Sequence, residues 1–169
     1  MNISAEKVYS LYRDITETLI GKGLTVTTME SCTAGLIASL ITDTDGSSAV
    51  IKGAFVTYSN EAKVRQGVPA EVIERYGVYS EQTAAAMAEA CRRAYSADFG
   101  LGITGTLGRP DPANPDSVSG EVYYAVASPE GTESFGVDLP PLPDRRSCKL
   151  MAATAAGERL FAAIERTGT

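Results

Sequence analysis

The stretch Thr27-Thr28-Met29-Glu30-Ser31-Cys32-Thr33-Ala34-Gly35 constrains this chain more than any other, because a β-branched run stops there at a short polar turn and an apolar helical pattern takes over. Leu24 to Met29 reads as a strand. Leu36, Ile37, Leu40 and Ile41 recur at helical spacing, so a helix is expected from Thr33 through Ile41. The turn between them delivers Ser31 to the tip of that helix.

The remaining pattern continues this alternation. Val8, Leu11, Tyr12, Ile15 and Leu19 share one face of a first helix that ends at Gly21-Lys22-Gly23. Ala49 to Tyr58 is the next apolar, β-rich run, interrupted by Gly53 and followed by a short helical piece around Glu61 to Gln66; another short helix begins at Pro69. Ser80 is an N-cap for a longer helix whose face is Ala84, Met87, Ala88, Cys91 and Tyr95. Phe99 to Thr104 is a buried strand, and residues 105–119 form a long loop rich in Gly, Pro, Asp and Asn, of the kind that carries function more often than not. Glu121 to Ser128 and Glu133 to Leu139 flank Pro129-Glu130-Gly131 as a hairpin, and a last helix carries Leu150, Thr154, Gly157, Phe161 and Ile164 along one side. Alternating helices and strands closed by a hairpin predict an α/β fold with a mixed β-sheet between helical layers.

With 169 residues, one domain covering 1–169 is expected. The composition, 44% hydrophobic and 21% charged, is that of an ordinary globular protein. A net charge of -6 supplies no basic footprint for nucleic acid or an anionic membrane, so neither is expected as a partner. The segment from Met1 to Lys22 is amphipathic and lacks the charged-then-apolar order of a signal peptide, which points to the cytoplasm. Cys32, Cys91 and Cys148 are odd in number without C-x-x-C spacing, and the chain has no histidine, so neither a disulfide framework nor a metal site is expected.

The absence of histidine also restricts the chemistry open to Ser31. A serine before a helix is an ordinary N-cap. It is also a nucleophile if a base reaches it, and backbone N–H groups at a helix start stabilise an oxyanion or bind phosphate. Tyr58-Ser59-Asn60-Glu61-Ala62-Lys63 follows the next strand and offers a phenol, an amide and a lysine. Lys63 is either a solvated surface residue or, if desolvated and neutral beside Ser31, its general base. Cys32 competes with Ser31, since a thiol at a helix start has a lowered pKa, unless it points inward as a small apolar residue.

Glu30-Ser31-Cys32-Thr33-Ala34-Gly35 together with Gly53-Ala54-Phe55-Val56-Thr57-Tyr58-Ser59-Asn60-Glu61-Ala62-Lys63 resembles the C-terminal domain of the competence/damage-inducible protein CinA, a domain that also occurs as a free-standing nicotinamide mononucleotide amidohydrolase. The likeness extends through Gly77-Val78-Tyr79-Ser80, Gly102-Ile103-Thr104-Gly105, Gly120-Glu121-Val122-Tyr123 and Asp144-Arg145. It implies a three-layer α/β/α domain, working without cofactor as a homo-oligomer of at least two chains, that hydrolyses the carboxamide of a nucleotide substrate. By the same resemblance Ser31 is the nucleophile, Lys63 its base and Tyr58 a hydrogen-bonding aid. Thr33, Thr104, Gly105 and Arg145 line the substrate, while Glu30 and Asn60 orient the site.

Two positions depart from the family pattern. Ala34 stands where a second glycine is usual, and the 105–119 loop replaces a flexible Pro-Gly-Gly segment with a stiffer sequence punctuated by Pro110, Pro112 and Pro115. Two further readings follow from that loop. One is a non-catalytic nucleotide-binding or assembly module; the other is an amidase with a changed substrate, for which Arg109, Asp111 and Asp116 supply new polar contacts.

Overall fold

A computed structural model describes residues 4–168, so Met1 to Ile3 of the amphipathic N-terminal pattern and Thr169 lie outside the described residues. Five strands, β1 (Val26–Glu30), β2 (Ile51–Val56), β3 (Phe99–Gly105), β4 (Glu121–Ser128) and β5 (Gly131–Asp138), form one sheet in the order β2-β1-β3-β4-β5. β1 pairs parallel to both β2 and β3, whereas β4 and β5 add antiparallel to the β3 side. The sheet is mixed, as expected.

Helices cover both faces. α1 (Ala5–Lys22), α2 (Leu36–Thr42) and α6 (Arg145–Arg166) pack together over one side, and α5 (Glu81–Tyr95) lies across the other with α4 (Ala70–Tyr76) beside it; α3 (Asn60–Arg65) follows β2. The larger core joins Val8, Tyr12, Ile15 and Leu19 of α1 to Ile37, Leu40 and Ile41 of α2 and to Leu160 and Ile164 of α6, all buried against the sheet. Where α5 crosses β4 the layer is thin, built from Ala84, Ala88, Ala125 and Ala127, while Met87, Ala90 and Cys91 of the same helix pack with Met29 and Val68. Gly100 and Gly102 of β3 face the α5 backbone, and a Cβ on either would run into Ala88 or Ala84. This close approach is why α5 carries so many alanines.

Several local readings hold in detail. Ser80 Oγ accepts the Thr83 N–H at 3.1 Å to cap α5, and Gly23 closes α1 in the left-handed region at φ 66°. The ring of Tyr95 lies against Gly53, where a side chain would clash, so the glycine in the β2 run makes room for an aromatic from α5. Two expectations need correction. The helix after β1 begins at Leu36 and not at Thr33, because Ala34 and Gly35 take positive φ values of 51° and 89° that no α-helix accepts. On α6 the deeply buried stripe is Leu150, Ala153, Gly157, Leu160 and Ile164; Thr154 and Phe161 are only half-buried. Gly157 sits against Leu11 and Tyr12 of α1, and the Tyr12 hydroxyl donates to Ala153 O at 2.7 Å across the gap.

Candidate active site

The sheet order itself selects a location. The chain leaves β1, passes through α2 to β2 on one side, then crosses by α3, α4 and α5 to β3 on the other side. The connections diverge at β1, so a crevice opens beyond the carboxyl ends of the parallel strands. Ser31 follows β1 there, Tyr58 follows β2, and Gly105 ends β3. A cleft of about 1070 Å³ occupies this position, with Ser31, Tyr58, Asn60, Lys63, Gly105 and Arg145 among its lining residues.

Ser31 is fixed by its neighbours on both sides. Its N–H donates to Ile103 O of β3 at 3.0 Å, and the Thr57 N–H after β2 donates to Glu30 O at 2.8 Å. The turn behind it is organised by Glu30, which is fully buried. Its carboxylate accepts the Thr28 and Thr33 hydroxyls at 3.1 and 2.7 Å and the N–H groups of Gly35, Ile37 and Ala38 at 3.0, 3.1 and 2.9 Å. An anion at the orphaned N–H groups of α2 is favourable both as a cap and against the helix dipole. The Ala34 N–H returns to Ser31 O at 3.1 Å. Among the described residues the N–H groups of Cys32 and Thr33, beside Ser31, donate to no backbone carbonyl.

Lys63 comes to Ser31 from the opposite wall. Ser59 caps α3 by accepting the Ala62 N–H at 3.1 Å, and one turn later Lys63 is the buried residue of that helix, 1% exposed. Its Nζ lies 3.1 Å from Ser31 Oγ and donates to Thr57 O at 2.8 Å. Burial disfavours the ammonium form and lowers the lysine pKa to about 8. Below that value the ammonium donates to both Thr57 O and Ser31 Oγ; above it, the amine keeps an N–H for Thr57 O and has a lone pair for the serine proton. The solvated-lysine alternative is thus replaced by a desolvated one.

Cys32 takes the inward alternative. It is 4% exposed, and burial, followed by the charge of Glu30, pushes its thiol up to about 12. It therefore remains a protonated, apolar side chain at neutral pH. The same result removes any thiolate charge that would hold the Lys63 proton.

The other predicted positions divide into two groups. Tyr58 is 64% exposed at the rim, where its hydroxyl receives a long 3.4 Å contact from Arg145 Nη2, the first residue of α6. Asn60, at the start of α3, also lines the cleft. Thr33 and Thr104 are buried away from it: the Thr33 hydroxyl is spent on Glu30, and that of Thr104 donates to Val78 O at 3.1 Å. They and Glu30 shape the walls, while Gly105 contributes backbone.

Asp111, read from sequence as a substrate contact, instead centres a cluster on the facing wall whose other members, Tyr79, Asn114 and Ser117, that reading did not join to it. Tyr79 donates to Asp111 Oδ2 at 2.8 Å; Asp111 also accepts from Asn114 Nδ2 at 2.7 Å and from the Ala113 N–H at 3.0 Å. Its own N–H donates to Ser117 Oγ at 2.6 Å. The Asp-to-Asn spacing of three within a proline-rich loop is the available signal, because such side chains fold turns onto themselves.

Taken together, the fold and cleft define a three-layer α/β/α protein with a lysine-paired serine at the carboxyl ends of its parallel strands. The CinA C-terminal domain family model matches residues 8–164, and the chain belongs to that family. It is 41% identical over 140 residues to a CinA-like protein of Anaeromyxobacter dehalogenans, and 38% identical over 146 residues to one of Gemmatimonas aurantiaca. Those matches cover 79% and 86% of this chain but 34% and 33% of the relatives, so the chain spans about a third of the curated relatives' length. Among solved structures, competence/damage inducible protein CihA from Agrobacterium tumefaciens superposes with a TM-score of 0.86 at 32% identity, covering 98% of this chain and all of that one.

Proposed function

We propose that this protein is a metal-independent amidohydrolase that converts nicotinamide mononucleotide to nicotinate mononucleotide and ammonia. The observation that carries the reading is the buried Ser31–Lys63 pair, 3.1 Å apart, with the lysine amine lowered to about 8 and held by Thr57 O. A neutral lysine is the base that lets serine act as a nucleophile without histidine.

Ser31 Oγ attacks the carboxamide carbon as Lys63 takes its proton. The developing oxyanion is held by N–H groups of the 32–35 turn, of which those of Cys32 and Thr33 have no backbone acceptor. The C–N bond then breaks, Lys63 gives its proton to the departing nitrogen, and ammonia leaves an acyl-serine. Water attacks the ester with Lys63 again as base, releasing the carboxylate and restoring Ser31. Tyr58 assists at the rim, and Arg145 at the α6 N-terminus suits the nucleotide phosphate. The reading includes a small nucleotide as partner, with neither nucleic acid nor membrane, a homo-oligomer of at least two chains, and a cytoplasmic setting.

Ammonia release from nicotinamide mononucleotide, measured beside Ser31→Ala and Lys63→Ala, tests this. Each variant is expected to lose at least about a thousandfold in kcat while staying folded. A folded parent protein that releases no ammonia would remove the reading. The self-bonded 105–119 loop keeps a changed-substrate amidase as the second reading, which other amide-bearing nucleotides test in the same assay.

A further inference from the structure

We propose that Arg109 is a second phosphate-binding residue, closing on the same end of a nucleotide that Arg145 meets. The inference rests on the amidohydrolase reading and names how that site holds its substrate's anionic end.

Arg109 and Arg145 line one cleft from different elements, the 105–119 loop and the first turn of α6. Gly108, the residue before Arg109, runs close to Arg145: a Cβ there would lie 3.0 Å from Arg145 Nη1. Among the described residues neither arginine has a carboxylate within ion-pair distance. The nearby acid, Asp111, is occupied by Tyr79, Asn114 and the Ala113 N–H. Glu61, which also lines the cleft, is held below the usual carboxylate range by its own N–H and Ser59 and pairs with neither.

Two guanidinium groups on one cleft, neither paired with a carboxylate, present N–H forks that an anion with several acceptor oxygens satisfies. The N-terminus of a 22-residue helix adds positive potential at the same point. Arg109 is exposed, so its guanidinium is available, yet its loop is anchored to Tyr79 through Asp111. That anchoring lowers the ordering cost of using a loop residue as a clamp. The loop that departs from the family pattern thus carries a contact of its own.

The test compares nicotinamide mononucleotide with phosphate-free nicotinamide riboside in wild-type, Arg109→Ala and Arg109→Lys proteins. For Arg109→Ala, KM for the mononucleotide is expected to rise about tenfold, with the loss confined to the phosphate-bearing substrate and partial recovery in Arg109→Lys. A mononucleotide KM within twofold of wild type would overturn the proposal. So would an equal loss on the riboside, since that marks a loop-structure effect. If wild-type protein releases no ammonia, the amidohydrolase reading fails separately, and calorimetric titration of nicotinamide mononucleotide and inorganic phosphate decides Arg109. Binding that weakens in Arg109→Ala supports the phosphate role; equal binding, or none to wild type, overturns it.

Discussion

Thr104 and Thr106 stand two residues apart at the end of β3, and their hydroxyls meet opposite fates. Thr104 donates to Val78 O at 3.1 Å, tying β3 to the segment before α5. Thr106 Oγ1 is buried with no hydrogen-bond partner among the described residues. It lies near the Tyr79 phenol, whose proton is committed to Asp111 and whose pKa burial pushes up to about 12. A buried hydroxyl without a partner loses its hydration for nothing in return. Thr106→Val is therefore expected to stabilise the protein by about 1 kcal/mol, seen as a rise of about 2–4 °C in Tm. Thr104→Val is expected to move Tm down by a similar amount, because it leaves Val78 O unpaired. Thermal unfolding of the two variants in parallel checks both signs, and a fall in Tm for Thr106→Val would mean the hydroxyl has a partner. Sequence places Thr104 at the end of a strand and Thr106 in the loop after it, but which hydroxyl finds a partner was not legible, because that depends on what the next wall presents.

At the scale of elements, the turn between β1 and α2 and the short helix α3 carry the candidate chemistry. Ala34 is exposed and left-handed at φ 51°, a conformation that costs an L side chain about 1–2 kcal/mol. Ala34→Gly removes that strain and adds some unfolded-state entropy, so a net gain below about 1 kcal/mol is expected, readable by urea denaturation. Its methyl group faces outward, so the departure from the family glycine costs backbone strain without filling the turn. Lys63 supplies a pH dependence whose sign is fixed by its lowered pKa. Below about 8 it is protonated and cannot accept the serine proton, so kcat/KM is expected to climb about tenfold per pH unit up to that value and then level off. Stability follows the same group differently. Between about 8 and its ordinary 10.5, the unfolded chain binds the proton that the folded chain has released, so stability rises with pH across that window. Lys63→Met is expected to abolish that rise, checked by Tm from pH 7.5 to 10.5. The capping residues Ser59, Ser80 and Asp144 accept N–H groups three residues on, an arrangement that the residue pattern alone makes legible at Ser80. The burial of Lys63 was not legible from spacing, because a lysine on a six-residue helix reads as solvated until β1 brings Ser31 against it.

Across the whole molecule, the position of the cleft depends on how closely α5 lies on the sheet. α5 begins beside Tyr79 and Ser80, so the helix that fills one face also carries one wall of the site. The strand order was legible only as a mixed sheet, since the branching of the chain around β1 leaves no local mark in sequence; the thin alanine layer was equally hidden, because alanine contributes little to a hydrophobic pattern. Glycine gives the sharpest test of that layer. A Cβ on Gly102 would run into the backbone of Ala84 and Ala88, and neither can yield without lifting α5. Overpacking of this kind costs about 1–3 kcal/mol, and here the displaced helix takes Tyr79 with it. Gly21 is the control: it lies inside α1 with nothing within 4 Å of an added Cβ, so alanine there gains about 0.5–1 kcal/mol of helix propensity. Gly102→Ala is expected to lower Tm by about 3–10 °C and to raise KM in the ammonia assay, while Gly21→Ala raises Tm and leaves KM alone. If Gly102→Ala lowered Tm without touching KM, α5 would be a structural layer whose exact seat the site does not feel; a coupled loss is expected because Tyr79, at its start, holds Asp111 of the 105–119 wall.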